Sequence, residues 1–367
     1  MKIAICTIIP KLTEAQGVKL RDFVRQSTDA DQIVFLSPNE QIFSSCRDFY
    51  SAGFPENRKI RFSSAFLVLH PLKLLVWILR IKKWLGTSYI KAAVIVLTKI
   101  REAKSICVNF KIDKAYIWNR YCPEFGVMAE VFRHYKVDLK DVEFGLFDGS
   151  LVVDQGFLGE SVFFKSANAH NAPITLSWEQ LNIAKGSGQY TQQKPNLPDD
   201  WQNTNAKHIL VLGGSEIDAG IYPFWYRTRK LIYSYHKNGL DLANSLAEAF
   251  PRYLVVFKPH PKHNHLDTDL LLKPNLRVVN GDPSPLFKWC DVVVSNYTKL
   301  ELQAFLYKKP LVNPSPGFLF YSNAVYTAPN RGALKQTIEL ALLKGWSDEA
   351  DLNARKFLTT YKVKQTL

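Results

Sequence analysis

Four consecutive residues, Lys258-Pro259-His260-Pro261, set a cation and an imidazole on a loop stiffened by two prolines. The run Val255-Val256-Phe257 before them is apolar and β-branched enough to be a buried strand. Ligands of open α/β sheets lie beyond the carboxyl ends of the strands, so Lys258 and His260 are placed to face an anion. A proline-held turn with a solvated histidine is the plainer alternative. A second strand-to-loop passage, Asp291-Val292-Val293-Val294-Ser295-Asn296-Tyr297-Thr298, leads into a helix that opens near Glu301. Ser295, Asn296 and Thr298, with the N–H groups of a helix start, suit a phosphate. Thr298 and Glu301 also have the spacing of a capping box. The two readings are compatible.

Two further segments carry carboxylates. The stretch Glu143-Phe144-Gly145-Leu146-Phe147-Asp148-Gly149-Ser150-Leu151-Val152-Val153-Asp154 gathers acids and glycines at an expected strand end. A partly buried Glu143 would have a raised pKa suited to acid/base work; a hairpin or crossover loop with solvated carboxylates is the alternative. Gly213-Gly214-Ser215-Glu216-Ile217-Asp218 also follows a strand. It lacks the Gly-Lys-Ser/Thr ending of a P-loop and the spacing of a dinucleotide fingerprint, which turns attention from Gly213 and Gly214 to Asp218. Asp267-Thr268-Asp269 has the form of a metal-binding Asp-x-Asp, but its polar setting reads as a solvated helix start, and no metal or other cofactor is expected.

These residues need a scaffold, and the 367-residue chain is long enough for two domains of about 150 to 200 residues. With 47% hydrophobic and 22% charged residues it is an ordinary globular composition, which excludes global disorder. Five scattered cysteines without CxxC spacing argue against a disulfide framework and a structural zinc site, and point to a reducing compartment. Strand-like runs at Ile3–Ile9, Gln32–Leu36, Ala115–Trp118, Val142–Phe144 and Leu151–Asp154 alternate with helical ones around Leu20–Ser27, Ile42–Tyr50 and Glu124–Tyr135. Beyond a polar stretch, strands are expected at His208–Gly213, Tyr253–Phe257, Leu276–Val279 and Asp291–Ser295, with helices around Asp241–Phe250, Ser284–Trp289 and Lys299–Leu306. The expected organisation is a domain over 1–190, a linker over 191–206, a domain over 207–345, and a C-terminal helix over 346–367 packing back on the first domain.

The order Asn119-Arg120, Glu143-x-Gly145, a Gly-Ser followed by Asp154, Asp218, Lys258-Pro-His-Pro and Asn296-x-Thr298-x-x-Glu301 resembles the retaining β-Kdo transferases of capsule and O-antigen assembly. These are relatives of the His-Pro-motif bacterial sialyltransferases. The resemblance runs from about Ala115 to Pro310. It implies an α/β fold of the GT-B type, two Rossmann-like domains facing a central cleft, and a CMP-Kdo or other CMP-sugar donor. It implies that Lys258 and His260 contact the CMP phosphate, Ser295 and Thr298 hydrogen-bond it, Asn296, Gly213 and Gly214 line the donor site, and Glu301 faces the ribose. It further implies that Asp218 is the nucleophile and Glu143 the acid/base, with Asn119, Arg120 and Asp148 on the acceptor or sugar side and Arg120 a partner for the Kdo carboxylate. The chain departs from the family at Gly214, where a glutamine is typical, and at Phe144, where an arginine is frequent.

Other functions stay open at this point: an inverting CMP-sialic acid-dependent sialyltransferase, a sugar-nucleotide epimerase, or a non-catalytic basic protein. The net charge of +14 predicts an anionic partner. Without a helix-turn-helix, zinc module or RNP motif, nucleic acid is not the expected one. In 67–104, Trp77, Trp84 and Tyr89 alternate with Lys and Arg, a pattern suited to an anionic membrane surface or to core helices with basic faces. Cations interrupt its apolar runs before a membrane span accumulates, and the N-terminus lacks a signal h-region, so the expectation is a cytoplasmic protein, peripheral at most, at the inner membrane.

Overall fold

The computed structural model describes residues 2–6, 20, 22–23, 32–36, 50–51, 69–118, 123–147, 150–154, 175–183, 201, 204–214, 239–260, 272–295, 298–314 and 319–364. The chain divides into two compact units, Met1–Phe157 with Gln365–Leu367, and Leu158–Lys364. Phe157–Leu158 thus precedes the polar stretch expected as the linker. Trp201, inside that stretch, is buried and stacks on Trp289, whose indole N–H donates to the Trp201 carbonyl at 3.1 Å.

The first unit contains strands β1 (Lys2–Cys6), β2 (Gln32–Leu36), β3 (Tyr50–Ser51), β4 (Lys114–Trp118), β5 (Asp138–Phe144) and β6 (Leu151–Asp154) in the order β3-β2-β1-β4-β5-β6. All pairs are parallel except the β5–β6 hairpin. Tyr50, expected to close a helix, instead opens β3. The segment after β5 is a hairpin, one of the two forms its glycines and acids allowed.

Helices α1 (Pro71–Leu85), α2 (Tyr89–Phe110) and α3 (Pro123–His134) belong to this unit. Pro71 starts α1 without losing a needed N–H, His70 Nδ1 accepts from Leu72 N–H, and Gly86 ends the helix at φ 58, a left-handed conformation that a Cβ would strain. Ser88 then caps α2 by accepting from Lys91 N–H. Leu74, Trp77 and Ile81 of α1 pack with Ala92, Val96 and Ile100 of α2 and Val127, Met128 and Val131 of α3 in one core. Trp77, which the sequence pattern offered to a membrane surface, is therefore a core residue; the aromatic ring is claimed by the helix layer because only this face meets α2 and α3.

The second unit contains β7 (His208–Leu212), β8 (Leu254–Lys258), β9 (Leu276–Val278), β10 (Val292–Ser295), β11 (Leu311–Asn313) and β12 (Tyr326–Thr327), in the order β12-β11-β10-β7-β8-β9 and all parallel. Read from β7, this is the doubly wound order of a Rossmann fold, and the first unit repeats it with an antiparallel last strand. The two Rossmann-like domains expected from the sequence are present. Helices α4 (Trp178–Leu181), α5 (Gly239–Ala249), α6 (Ser284–Trp289), α7 (Glu301–Leu306), α8 (Arg331–Lys344) and α9 (Asp348–Lys364) complete the described part. Strand β7 is buried along its whole length, as an interior parallel strand covered on both faces must be.

The C-terminal helix α9 packs on α4, a segment the sequence grouped with the first domain and the compact units group with the second. Thr359 Oγ1 accepts from Leu176 N–H at 2.9 Å, Asp351 Oδ1 accepts from the Trp178 indole at 2.9 Å, and Lys362 Nζ donates to the Gln180 and Leu181 carbonyls at 2.8 and 3.1 Å. Burial raises the Asp351 carboxyl, but hydrogen bonds from Trp178 and Arg355 outweigh it and hold the group below its usual range. Asp351→Ala leaves the Trp178 N–H without its acceptor at a cost of about 1–2 kcal/mol, seen as a fall of a few degrees in Tm. Because the folded-state pKa is depressed, this contribution is present above about pH 4 and is lost as the pH falls through the folded value, which denaturation of both proteins across that range will show.

Candidate functional site

The parallel register of the second sheet lines up strand ends. Leu212 of β7 pairs with Lys258 of β8 on one side and with Ser295 of β10 on the other. Val294 pairs with Val312, which sets Asn313 next to Ser295. Lys258, Leu212, Ser295 and Asn313 therefore close four neighbouring strands at one level. The strand order reverses between β7 and β10, the kind of point beside which open α/β sheets place their ligands.

On the β8 side, Lys258 is buried and its Nζ donates to the Pro259 carbonyl at 3.2 Å. Burial lowers its pKa to about 8, and the charge of Asp282 pulls it back upward. Asp282 is itself held in place, its Oδ1 accepting from Ser284 N–H at 3.0 Å and Ser284 Oγ at 2.9 Å. His260 is half-buried two residues on. Gly213, directly after β7, donates its N–H to the Lys258 carbonyl at 2.9 Å. A Cβ on Gly213 would come within 3.1 Å of the Phe257 ring and 3.3 Å of the His260 nitrogen, so a larger residue here would press on both neighbours. Gly214 follows, half-buried.

On the β10 side a small polar network is buried. Ser295 Oγ donates to Glu301 Oε1 at 2.9 Å, and Thr298 N–H donates to the same oxygen at 3.1 Å. Asn313 Nδ2 donates to the Ser295 carbonyl at 3.0 Å. Glu301 is fully buried, and its second oxygen, Oε2, has no hydrogen-bond partner among the described residues. Burial pushes its carboxyl up to about 7, against the lowering effect of the hydrogen bonds from the Ser295 hydroxyl and the Thr298 amide. Only half of the expected capping box forms: Glu301 reaches back to the Thr298 amide, but Thr298 Oγ1 accepts from Leu300 N–H at 3.3 Å. The helix that follows has six residues, too short for a strong dipole, and the Ser295 proton is spent on Glu301.

Of the remaining sequence candidates, Asn119, Arg120, Asp148, Asp218 and Asn296 lie outside the described residues, as does Asp267-Thr268-Asp269. Glu143 is the penultimate residue of β5, paired with Val152 of β6. Two participants escaped the sequence reading, Asn313 and Asp282. Asn313 ends a three-residue strand too short to show periodicity, and Asp282 acts on Lys258 from a separate loop, a relation set only by the fold.

No protein-family model matches this chain, and no curated protein matches it. Among solved structures it is similar to the β-Kdo 2,4 transferase of Thermosulfurimonas dismutans KpsC, with 12% identity, 66% of this chain and 79% of the other covered, and a TM-score of 0.42. The β-Kdo 2,7 transferase of the same KpsC gives 17% identity, 71% and 80% coverage, and a TM-score of 0.36. The UDP-GlcNAc 2-epimerase of Methanocaldococcus jannaschii gives 12% identity, 97% and 98% coverage, and a TM-score of 0.35. The strand orders and registers, rather than these similarities, carry the fold.

A carboxyl whose folded pKa is raised binds a proton that the unfolded chain has released, so the Glu301 contribution is most favourable at low pH and is lost between about 4.5 and about 7. Glu301→Gln keeps the acceptor for Ser295 and Thr298 but cannot ionise. Denaturant unfolding is expected to show the wild type losing on the order of 1–3 kcal/mol relative to this variant across that interval, with a constant difference above it.

Proposed function

We propose that this chain is a CMP-sugar-dependent glycosyltransferase that transfers Kdo from CMP-Kdo to a glycan or glycolipid acceptor with retention of anomeric configuration. The observation that carries the reading is the convergence of Lys258, His260, Gly213 and the Ser295–Glu301–Asn313 network on one carboxyl edge, at the reversal of strand order. A buried cation with a lowered pKa is poorly solvated and gains from a phosphate counter-charge. Neutralising a single leaving phosphate in this way requires no metal. The resemblance gives Glu301 the ribose, which its buried Oε2, without a hydrogen-bond partner among the described residues, would meet only once the side chain is uncovered. The order of short motifs from Asn119 to Glu301 supports the choice of a Kdo donor over other CMP-sugars.

In this reading the Asp218 carboxylate attacks the anomeric carbon, the bond from that carbon to the phosphate oxygen breaks, and CMP departs with the bonding pair. A glycosyl-enzyme remains. The acceptor hydroxyl then attacks the same carbon, giving its proton to Glu143 as the bond to Asp218 breaks. Two displacements restore the starting configuration. Asn119, Arg120 and Asp148 orient sugar and acceptor, with Arg120 suited to the Kdo carboxylate by its paired donors.

Intact-protein mass spectrometry after mixing with CMP-Kdo generated in place is expected to show a sugar adduct in the wild type and none in Asp218→Asn; an inverted product from active wild type would exclude double displacement. A second measurement addresses the donor site. CMP affinity, followed by calorimetry, is expected to fall by up to about tenfold per unit as the pH rises through about 8 and Lys258 loses its proton, and Lys258→Met is expected to bind weakly with no such dependence.

A further inference from the structure

We infer that the outward face of α1 and the first turns of α2 form a docking surface for an anionic phospholipid membrane. The inference stands apart from the transfer reaction, since docking needs neither a nucleotide nor Asp218. From Asn57 to Arg101 the sequence contains ten Lys and Arg and not one Asp or Glu. Helix α1 carries two apolar stripes where a core helix requires one. Leu74, Trp77 and Ile81 recur at i, i+3 and i+7 and are buried. Leu72, Leu75 and Leu79 recur at the same spacing and are 67%, 52% and 43% exposed. At 100° per residue the two stripes lie on opposite sides of the helix.

The apolar surface continues past the Gly86 turn. Ile90 and Val94, one helical turn apart on α2, are 79% and 56% exposed, while Ala92, Val96 and Ile100 fill the core. Cations frame this surface: Arg80 lies with Cζ 4.2 Å from the Trp77 ring centre, Lys82 Nζ sits 4.1 Å from that of the exposed Tyr89, and Lys91 is exposed beside Ile90. Lys73 is ion-paired with Glu130 of α3 at 2.8 Å, and Lys99 with Glu102 at 2.9 Å.

Exposed leucines in a row with cations at their margins match an interfacial helix, whose apolar side enters the acyl boundary while its charges meet lipid phosphates. No helix among the described residues is long and apolar enough to cross a membrane, so this one would lie in the interface plane. A second copy of the chain is a poorer occupant, because two such faces bring together cations of a run, Asn57 to Arg101, that contains no Asp or Glu. Nucleic acid would answer the charge and leave the leucines in water.

Flotation of the full chain with vesicles tests this. The wild type is expected to float with phosphatidylglycerol–phosphatidylethanolamine vesicles and to remain behind with pure phosphatidylcholine. Each cation near such a surface strengthens binding by roughly fivefold, so Lys82→Glu with Lys91→Glu is expected to weaken it by at least about tenfold. Leu72→Ser with Leu75→Ser and Leu79→Ser is expected to do the same by removing the inserted apolar area. Because four of these side chains are exposed and the half-buried Lys82 side chain meets the exposed Tyr89 ring, circular dichroism and Tm should stay near wild-type values, and the mass-spectrometric adduct on Asp218 should form in solution as before. Equal flotation on phosphatidylcholine, unchanged flotation of both variants, or a wild-type dimer made monomeric by the leucine changes without vesicle binding would each overturn the inference.

Discussion

The parallel pairing of β7 with β8 on one side and β10 on the other is the constraint from which the candidate site follows. Parallel neighbours cannot be joined by a tight turn, so each connection must travel over a face of the sheet and return to the same starting edge. All strand ends then lie along one side. The strand order reverses between β7 and β10, the kind of position at which open α/β sheets place their ligands. The register makes the alignment specific: Lys258 and Ser295 both pair with Leu212, so a one-residue slip of either strand would turn its terminal side chain to the opposite face.

Two ionisable groups flanking that edge are kept out of water, at a cost that packing around them must offset. Lys258 is buried at the end of its strand, and its lowered pKa expresses that burial, eased by the charge of Asp282. Glu301 has the converse problem: one oxygen receives two hydrogen bonds and the other none, which raises its pKa. Buried polar atoms without partners are uncommon, and Glu301 Oε2 is one of several among the described residues. The Ser295–Glu301 and Asn313–Ser295 bonds tie the end of β10 to α7 and β11.

The first unit solves a different problem. Its α1–α2 hairpin buries one face of each helix against α3 and still shows apolar side chains on the other side. Burial of a single stripe is enough to hold a surface helix, so the leucines at 72, 75 and 79 contribute little to the fold. Their presence, with cations and without carboxylates, is a property of the surface and not of the core.

Much of this was legible in the sequence because it is local. Runs such as Val255-Val256-Phe257 and Val292-Val293-Val294 announce interior strands, the polar and proline-flanked residues after them announce loops, and alternation of strands with helices announces a parallel sheet. Lys258, His260, Ser295 and Glu301 were therefore identifiable one segment at a time. What local pattern does not contain is which segments become neighbours. Hydrogen bonding between strands far apart in the chain put Ser295 and Lys258 on either side of Leu212 and brought Asn313 to the Ser295 carbonyl. Packing between helices, not hydrophobicity, decided that Trp77 turns inward while Leu75 stays outside, since both are apolar and only the tertiary neighbours of α1 distinguish its two stripes. So, too, with the Lys-Pro-His-Pro loop: its chemistry is written in four residues, but the buried state of Lys258 and the glycine packed against its neighbour exist only because β7 and β8 end together.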